Sequence, residues 1–285
     1  MKSNYRYIVK AFMAMAVIAG TTSCDDFLDR EPMSSISPET YYSTAAQLEA
    51  NLNDEYPNVL PSFGQWTYGI FGEDKGTDNQ IEVNANDRYT QDRWKVPHSE
   101  SDNWKFERIY RINFFLSEAL PKFGEDMSGS QNTISGSVAT IKHYIGEMYF
   151  LRAYEYFKKL QLFGDFPIIN QPLADEMEAL REASKRFPRN EVARFIISDL
   201  DKAYAYMSDV DMATTRINKD VAMLVKSRVA LFEATWLQNF KGTAFVPGGE
   251  GWPGASLHNN YQYPSGNIDN CLLYTSPSPR DGLLS

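Results

Sequence analysis

Histidine and cysteine are scarce in this chain of 285 residues, which has three of the first and two of the second. Two cysteines cannot build a disulfide framework. The histidines, His98, His143 and His258, form no H-E-x-x-H arrangement, so zinc hydrolysis has no ligand set. G-x-G-x-x-G, G-x-x-x-x-G-K-[ST] and G-x-S-x-G are absent too, which leaves dinucleotide, P-loop and serine-hydrolase chemistry without an anchor. Positive charge is short: 28 Lys+Arg stand against 37 Asp+Glu, a net charge of −9. An electrostatic nucleic-acid binder needs a basic face, so that class is excluded, and no cofactor or metal is implied. No apolar run approaches the ~20 residues of a membrane-spanning helix.

The apolar run that does exist, Ala11 to Gly20, follows Lys2, Arg6 and Lys10 and leads into Thr21-Thr22-Ser23-Cys24. A positive start, a short apolar stretch and small residues before a cysteine are the layout of a lipoprotein signal peptide over residues 1–23. Cys24 is then expected to be the first mature residue, its sulfur carrying a diacylglycerol and its amine a further acyl chain such as palmitate. Two or more chains anchor stably where one is marginal. The acidic pair Asp25-Asp26 resembles the signal that sends some lipoproteins on to the cell surface. At the other end, Cys271 to Asp281 matches the translation of a transposase sequencing adapter. Residues 271–285 are therefore expected to be non-native, leaving 24–270 as the native mature portion.

Aromatic residues are plentiful, at 14% of the chain. Asp29–Thr40, with Pro32 and Pro38, reads as an extended tether. Thr44 with Gln47 forms a capping-box pattern ahead of Leu48, Leu52, Tyr56 and Val59. Periodicity lapses from Pro61 to Asn103, then returns in four amphipathic stripes. The first holds Ile109, Ile112, Leu116 and Leu120, and the second Val138, Ile141, Ile145, Met148 and Leu151. The third holds Val192, Phe195, Leu200, Ala203 and Met207, and the fourth Ala222, Val225, Val229, Phe232 and Trp236. Pro121 with Gly124, and Gly164-Asp165-Phe166-Pro167, are predicted to end the first two, and Pro188 with Asn190 to open the third. Lys241–Asn270 reads as a second long loop. Helical pairs joined by Gly/Pro breaks predict a mainly α, tetratricopeptide-like scaffold with long loops.

These segments resemble the SusD/RagB family of outer-membrane lipoproteins. The likeness lies in Cys24 to Asp29 with Pro32, in Trp104 to Leu116 (WKFERIYRINFFL) and in Gly146 to Pro167 (GEMYFLRAYEYFKKLQLFGDFP). It continues in Phe187 to Tyr206 and in Arg216 to Trp236. The resemblance implies a SusD-like helical scaffold, truncated at its C-terminus, that is lipid-anchored and exposed at the outer membrane. It also implies oligosaccharide binding as a lid on a SusC-like TonB-dependent transporter. Peptide capture on the same scaffold is one alternative, and a secreted carbohydrate-active enzyme another. Glu73 and Asp74 are the nearest candidates for a glycosidase pair, but no motif activates a nucleophile or a water, so the chain is expected not to be an enzyme.

Sugar binding needs flat aromatic faces for the C–H side of a pyranose and polar side chains for its hydroxyls. In the first loop, Trp66, Tyr68 and Trp94 lie among Asp74, Asp78 and Arg88, and these six are the candidate ligand-binding residues. Trp252 in the second loop is a further candidate. Trp104 and Trp236 fall on helical stripes and are expected in the core.

Overall fold

The computed structural model describes residues 41–61, 103–124, 126–207, 215–264 and 266. The chain divides between Tyr41 and Tyr42 into two units, and every described helix belongs to the second. Among the described residues six α-helices run in order: α1 Ala45–Val59, α2 Glu107–Phe123, α3 Val138–Phe163, α4 Met177–Ala183, α5 Arg189–Tyr206 and α6 Lys219–Asn239. A single 3-10 turn comes after them at Pro253–Ser256, and no strand longer than an isolated bridge is present among the described residues.

The capping box forms as expected. Gln47 N–H donates to the Thr44 hydroxyl at 3.3 Å while Gln47 Oε1 accepts from the Thr44 backbone at 3.1 Å. This satisfies two of the donors that every helix start leaves open. Leu48, Leu52 and Val59 of α1 are buried, as are Ile109, Ile112, Phe115 and Leu116 of α2. Pro121 does not end α2, which continues to Phe123 before Gly124 caps it. Proline costs a helix the N–H that would bond to the carbonyl four residues back, and here that residue is the exposed Ser117.

Helix α3 is the axis on which the others pack. Val138, at its first turn, is 40% exposed rather than part of the core, whereas Ile141, Ile145, Met148, Leu151 and Leu160 are fully buried. Burial extends around α3 and takes in His143, Glu147, Arg152, Glu155 and Lys159. A helix covered on all sides must answer each of its polar groups internally. Arg152 donates through Nε and Nη2 to Asp199 of α5 at 2.6 and 2.9 Å, and through Nη1 to Asn113 Oδ1 of α2 at 2.9 Å. Glu147 accepts from Arg216 Nε and Nη2 at 2.8 and 2.7 Å and from the Tyr56 hydroxyl at 2.7 Å. His143 Nε2 lies 3.0 Å from both Glu147 Oε1 and the Ile217 carbonyl, and its Nδ1 is buried without a partner. Both neighbours of Nε2 are acceptors, so Nε2 carries a proton.

The long-range contacts set the directions of the helices. Gly146 of α3 meets Ala203 and Met207, Arg152 meets Asp199, and Tyr156 meets Phe195, so α3 and α5 run antiparallel. Arg189 with Glu233 and Lys226 with Asp201 make α5 and α6 antiparallel as well. Gly146 is required by that packing. A Cβ there would stand 2.8 Å from Met207 N and 2.9 Å from the Ala203 carbonyl oxygen, both backbone atoms that cannot swing aside. Successive antiparallel helices stacking stripe on stripe give the tetratricopeptide-like arrangement that the periodicity predicts.

The stripe of α6 is rotated from its sequence reading. Ala222 and Val229 are buried, but Val225, Phe232 and Trp236 are only half-buried, and the inner face continues through Ala230, Glu233, Ala234 and Leu237. The cause is Glu233, a charged residue that turns inward because Arg189 of α5 is there to meet it.

Candidate functional site

The site lies where α3 ends, α5 begins and the loop after α6 folds back. Gly164, at φ +70°, takes α3 out of its helical path. The next residue, Asp165, then points at the start of α5. Pro188 there has no side chain able to cap a helix, and the Asp165 carboxylate serves instead, Oδ1 accepting the Arg189 N–H at 2.9 Å. Its other oxygen accepts from the Trp252 indole N–H at 2.8 Å. Burial pushes the Asp165 carboxyl above its ordinary value, against the pull of these two donors and of the nearby guanidinium groups.

Arg189 is buried and binds Glu233 through Nε and Nη2 at 2.9 Å, with its guanidinium 4.1 Å from the Trp236 ring centroid. Glu233, fully buried, is pushed up by desolvation, opposed by that pairing. Arg186 is exposed at the end of the connection between α3 and α5. Its guanidinium rests 4.6 Å from the centroid of Trp104, and His258 Nε2 lies 2.8 Å from its backbone carbonyl.

Gly164, Asp165, Arg186, Arg189, Trp236 and Trp252 help to wall a half-open cavity of about 470 Å³, within the range of small-molecule sites. Phe163, Trp236, Phe245 and Trp252 supply ring surface, and Gln161, Asp165, Arg186 and Arg189 supply polar groups. Phe245 is 62% exposed, an apolar ring left open to solvent at the lining. No cluster of metal ligands and no helix long and apolar enough to cross a membrane occurs among the described residues.

Trp252 and Trp236 both line the cavity. Trp252, expected to offer an open face, is 5% exposed and held by Asp165. Trp236, expected in the core, is half-buried and lines the cavity. Trp104 precedes α2 rather than lying on it, and packs half-buried against Phe106, Phe163 and Phe166 with Arg186 above it. Trp66, Tyr68, Asp74, Asp78, Arg88 and Trp94 lie outside the described residues, as do Glu73 and Cys24. Asp165, Arg186 and Arg189 escape a reading by motif, because the Gly-Asp-Phe-Pro run reads as a helix stop and the arginines as flanks of a helix start.

Residues 26–231 match the model of the SusD-like family described as starch-binding and associating with the outer membrane. The chain belongs to the SusD-like family. Among its relatives, SusD-like protein P2 of Formosa agariphila is 25% identical over 253 residues, 85% of this chain and 46% of that protein. SusD-like protein P25 of the same organism is 25% identical over 233 residues, 75% of this chain and 41% of its own length. The chain thus spans less than half the length of these SusD-like relatives. A SusD-like crystal structure from Bacteroides fragilis superposes with a TM-score of 0.52 at 21% identity, covering 74% of this chain and 39% of that one. This agreement supports the helical scaffold.

Proposed function

We propose that this SusD-like chain is a surface lipoprotein that captures oligosaccharides and passes them to a SusC-like TonB-dependent transporter in the outer membrane. The observation that carries the reading is the cavity at the end of α3, where ring faces and fixed polar groups line one half-open space. Apolar rings suit the C–H faces of a sugar, and arginine and amide groups suit its oxygens. The family's description as starch-binding and associating with the outer membrane supports both the ligand class and the location. In this reading Cys24 carries the lipid anchor, Trp66, Tyr68 and Trp94 add stacking faces, and Asp74, Asp78 and Arg88 bind hydroxyls. Capture proceeds without turnover.

Affinity electrophoresis on a panel of polysaccharides tests it. Retardation without release of new reducing ends is the expected result, and product release lost on Glu73→Gln or Asp74→Asn would overturn it. For the anchor, a Cys24→Ala variant is expected to leave the membrane fraction.

A further inference from the structure

The hydrogen-bonding capacity left open in the cavity is unevenly divided between donors and acceptors. Both oxygens of Asp165 are engaged, one by the Arg189 N–H and the other by the Trp252 indole. Glu233 is engaged by Arg189 Nε and Nη2. Arg189 Nη1 makes no bond among the described residues, although it lies on the same guanidinium. Arg186 makes no side-chain hydrogen bond or ion pair among the described residues, and its place is fixed at one face by Trp104 and through its backbone by His258. The charged nitrogens left open are Arg189 Nη1 and the whole Arg186 fork, whereas each Asp165 oxygen already accepts a bond and Glu233 is sealed by Arg189.

A neutral sugar hydroxyl both donates and accepts, whereas a carboxylate or sulfate only accepts, and it meets a guanidinium fork through two parallel bonds. We propose that this cavity takes the acidic group of a uronic-acid or sulfated sugar, with Arg186 as its principal partner and Trp236 and Phe245 against the ring. The inference rests on the glycan-capture reading and names its ligand class. The chain's net charge of −9 provides no long-range attraction for such a ligand. Discrimination therefore resides in the short-range fork, and Arg186→Lys, which keeps the charge and loses the fork, separates the two contributions.

Titration calorimetry of the full chain tests this with an oligogalacturonate, the same oligosaccharide with its carboxyls reduced to alcohols, and a starch oligosaccharide. Wild type is expected to bind the acid form at least about tenfold more tightly than the reduced form. Arg186→Gln should abolish that preference by weakening the acid form far more than the reduced form, with Arg186→Lys between the two. Equal affinity for acid and reduced forms, or equal loss of both on Arg186→Gln, overturns the inference while glycan capture stands. A hexaglutamate peptide that binds more tightly than the oligogalacturonate, with the same dependence on Arg186, overturns the assignment to sugar. Absence of binding to every saccharide overturns glycan capture itself.

Discussion

The middle of α3 and its C-terminal end use the same pair of groups, a buried arginine and a buried carboxylate, to opposite effect. In the middle, Arg152 spends every nitrogen inside the protein: Nε and Nη2 on Asp199, Nη1 on Asn113 and on the Asn170 carbonyl at 3.1 Å. Burial works against its charge, Asp199 more than restores it, and the guanidinium is held above its ordinary value. At the end, Arg189 leaves Nη1 unbonded among the described residues beside Arg186, whose side chain makes no hydrogen bond or close ion pair there. Both arginines clasp helices, but only the unsaturated one keeps a donor open. What separates them is the count of acceptors brought within reach, a property of three elements meeting and not of any one of them.

The hardest test of that comparison is Arg152→Ala. Removing one member of a buried ion pair strands the other, so a loss of about 3–5 kcal/mol in urea-induced unfolding is expected. A loss under about 1 kcal/mol would mean that the clasp contributes no more than a surface pair. Trp236→Ala comes next. Because the ring is half-buried, about 1–2 kcal/mol is expected, less than full burial would cost, together with weaker saccharide binding in affinity electrophoresis.

The third test is pH. Asp165 has a folded-state pKa above its ordinary value, so the folded chain binds more protons there than the unfolded one, and stability falls as pH rises through that interval. Wild type should therefore gain on Asp165→Asn as pH drops from 7 towards 4, read from urea midpoints of both proteins. A gap that closes instead would show that the capping bond, and not burial, controls this carboxyl. The smallest effect belongs to Arg186→Ala. An exposed residue without an ion-pair partner among the described residues is expected to shift stability by no more than about 0.5 kcal/mol, in contrast with Arg152.

Much of the scaffold is legible in the amino-acid order because its causes are local. Thr44 and Gln47 are three residues apart and cap each other, and the spacing of Ile109, Ile112 and Leu116 directly states which face of α2 is buried. Little of the cavity can be read that way. Asp165 caps a helix 24 residues further on and binds an indole 87 residues away. Glu233 counts as polar in any periodicity, yet it turns α6 so that Trp236 faces the opening. Pairing across the chain decides such residues, and spacing along it does not record partners. The place of Trp236 at the cavity has the same origin.

One small contact near the cavity governs how the molecule could change over time. Phe166 and Phe187 exchange backbone hydrogen bonds of 3.2 and 3.1 Å, closing the connection between α3 and α5 at its base. Inside that closure no residue from 171 to 184 is buried, α4 included. Doubling the length of such a closed excursion costs only about 0.6 kcal/mol of chain entropy, and Asp165, Arg186 and Arg189 all lie at its sealed root. The segment is thus a tolerant graft point, where new sequence can be tried and discarded while the groups that would meet a ligand stay in register.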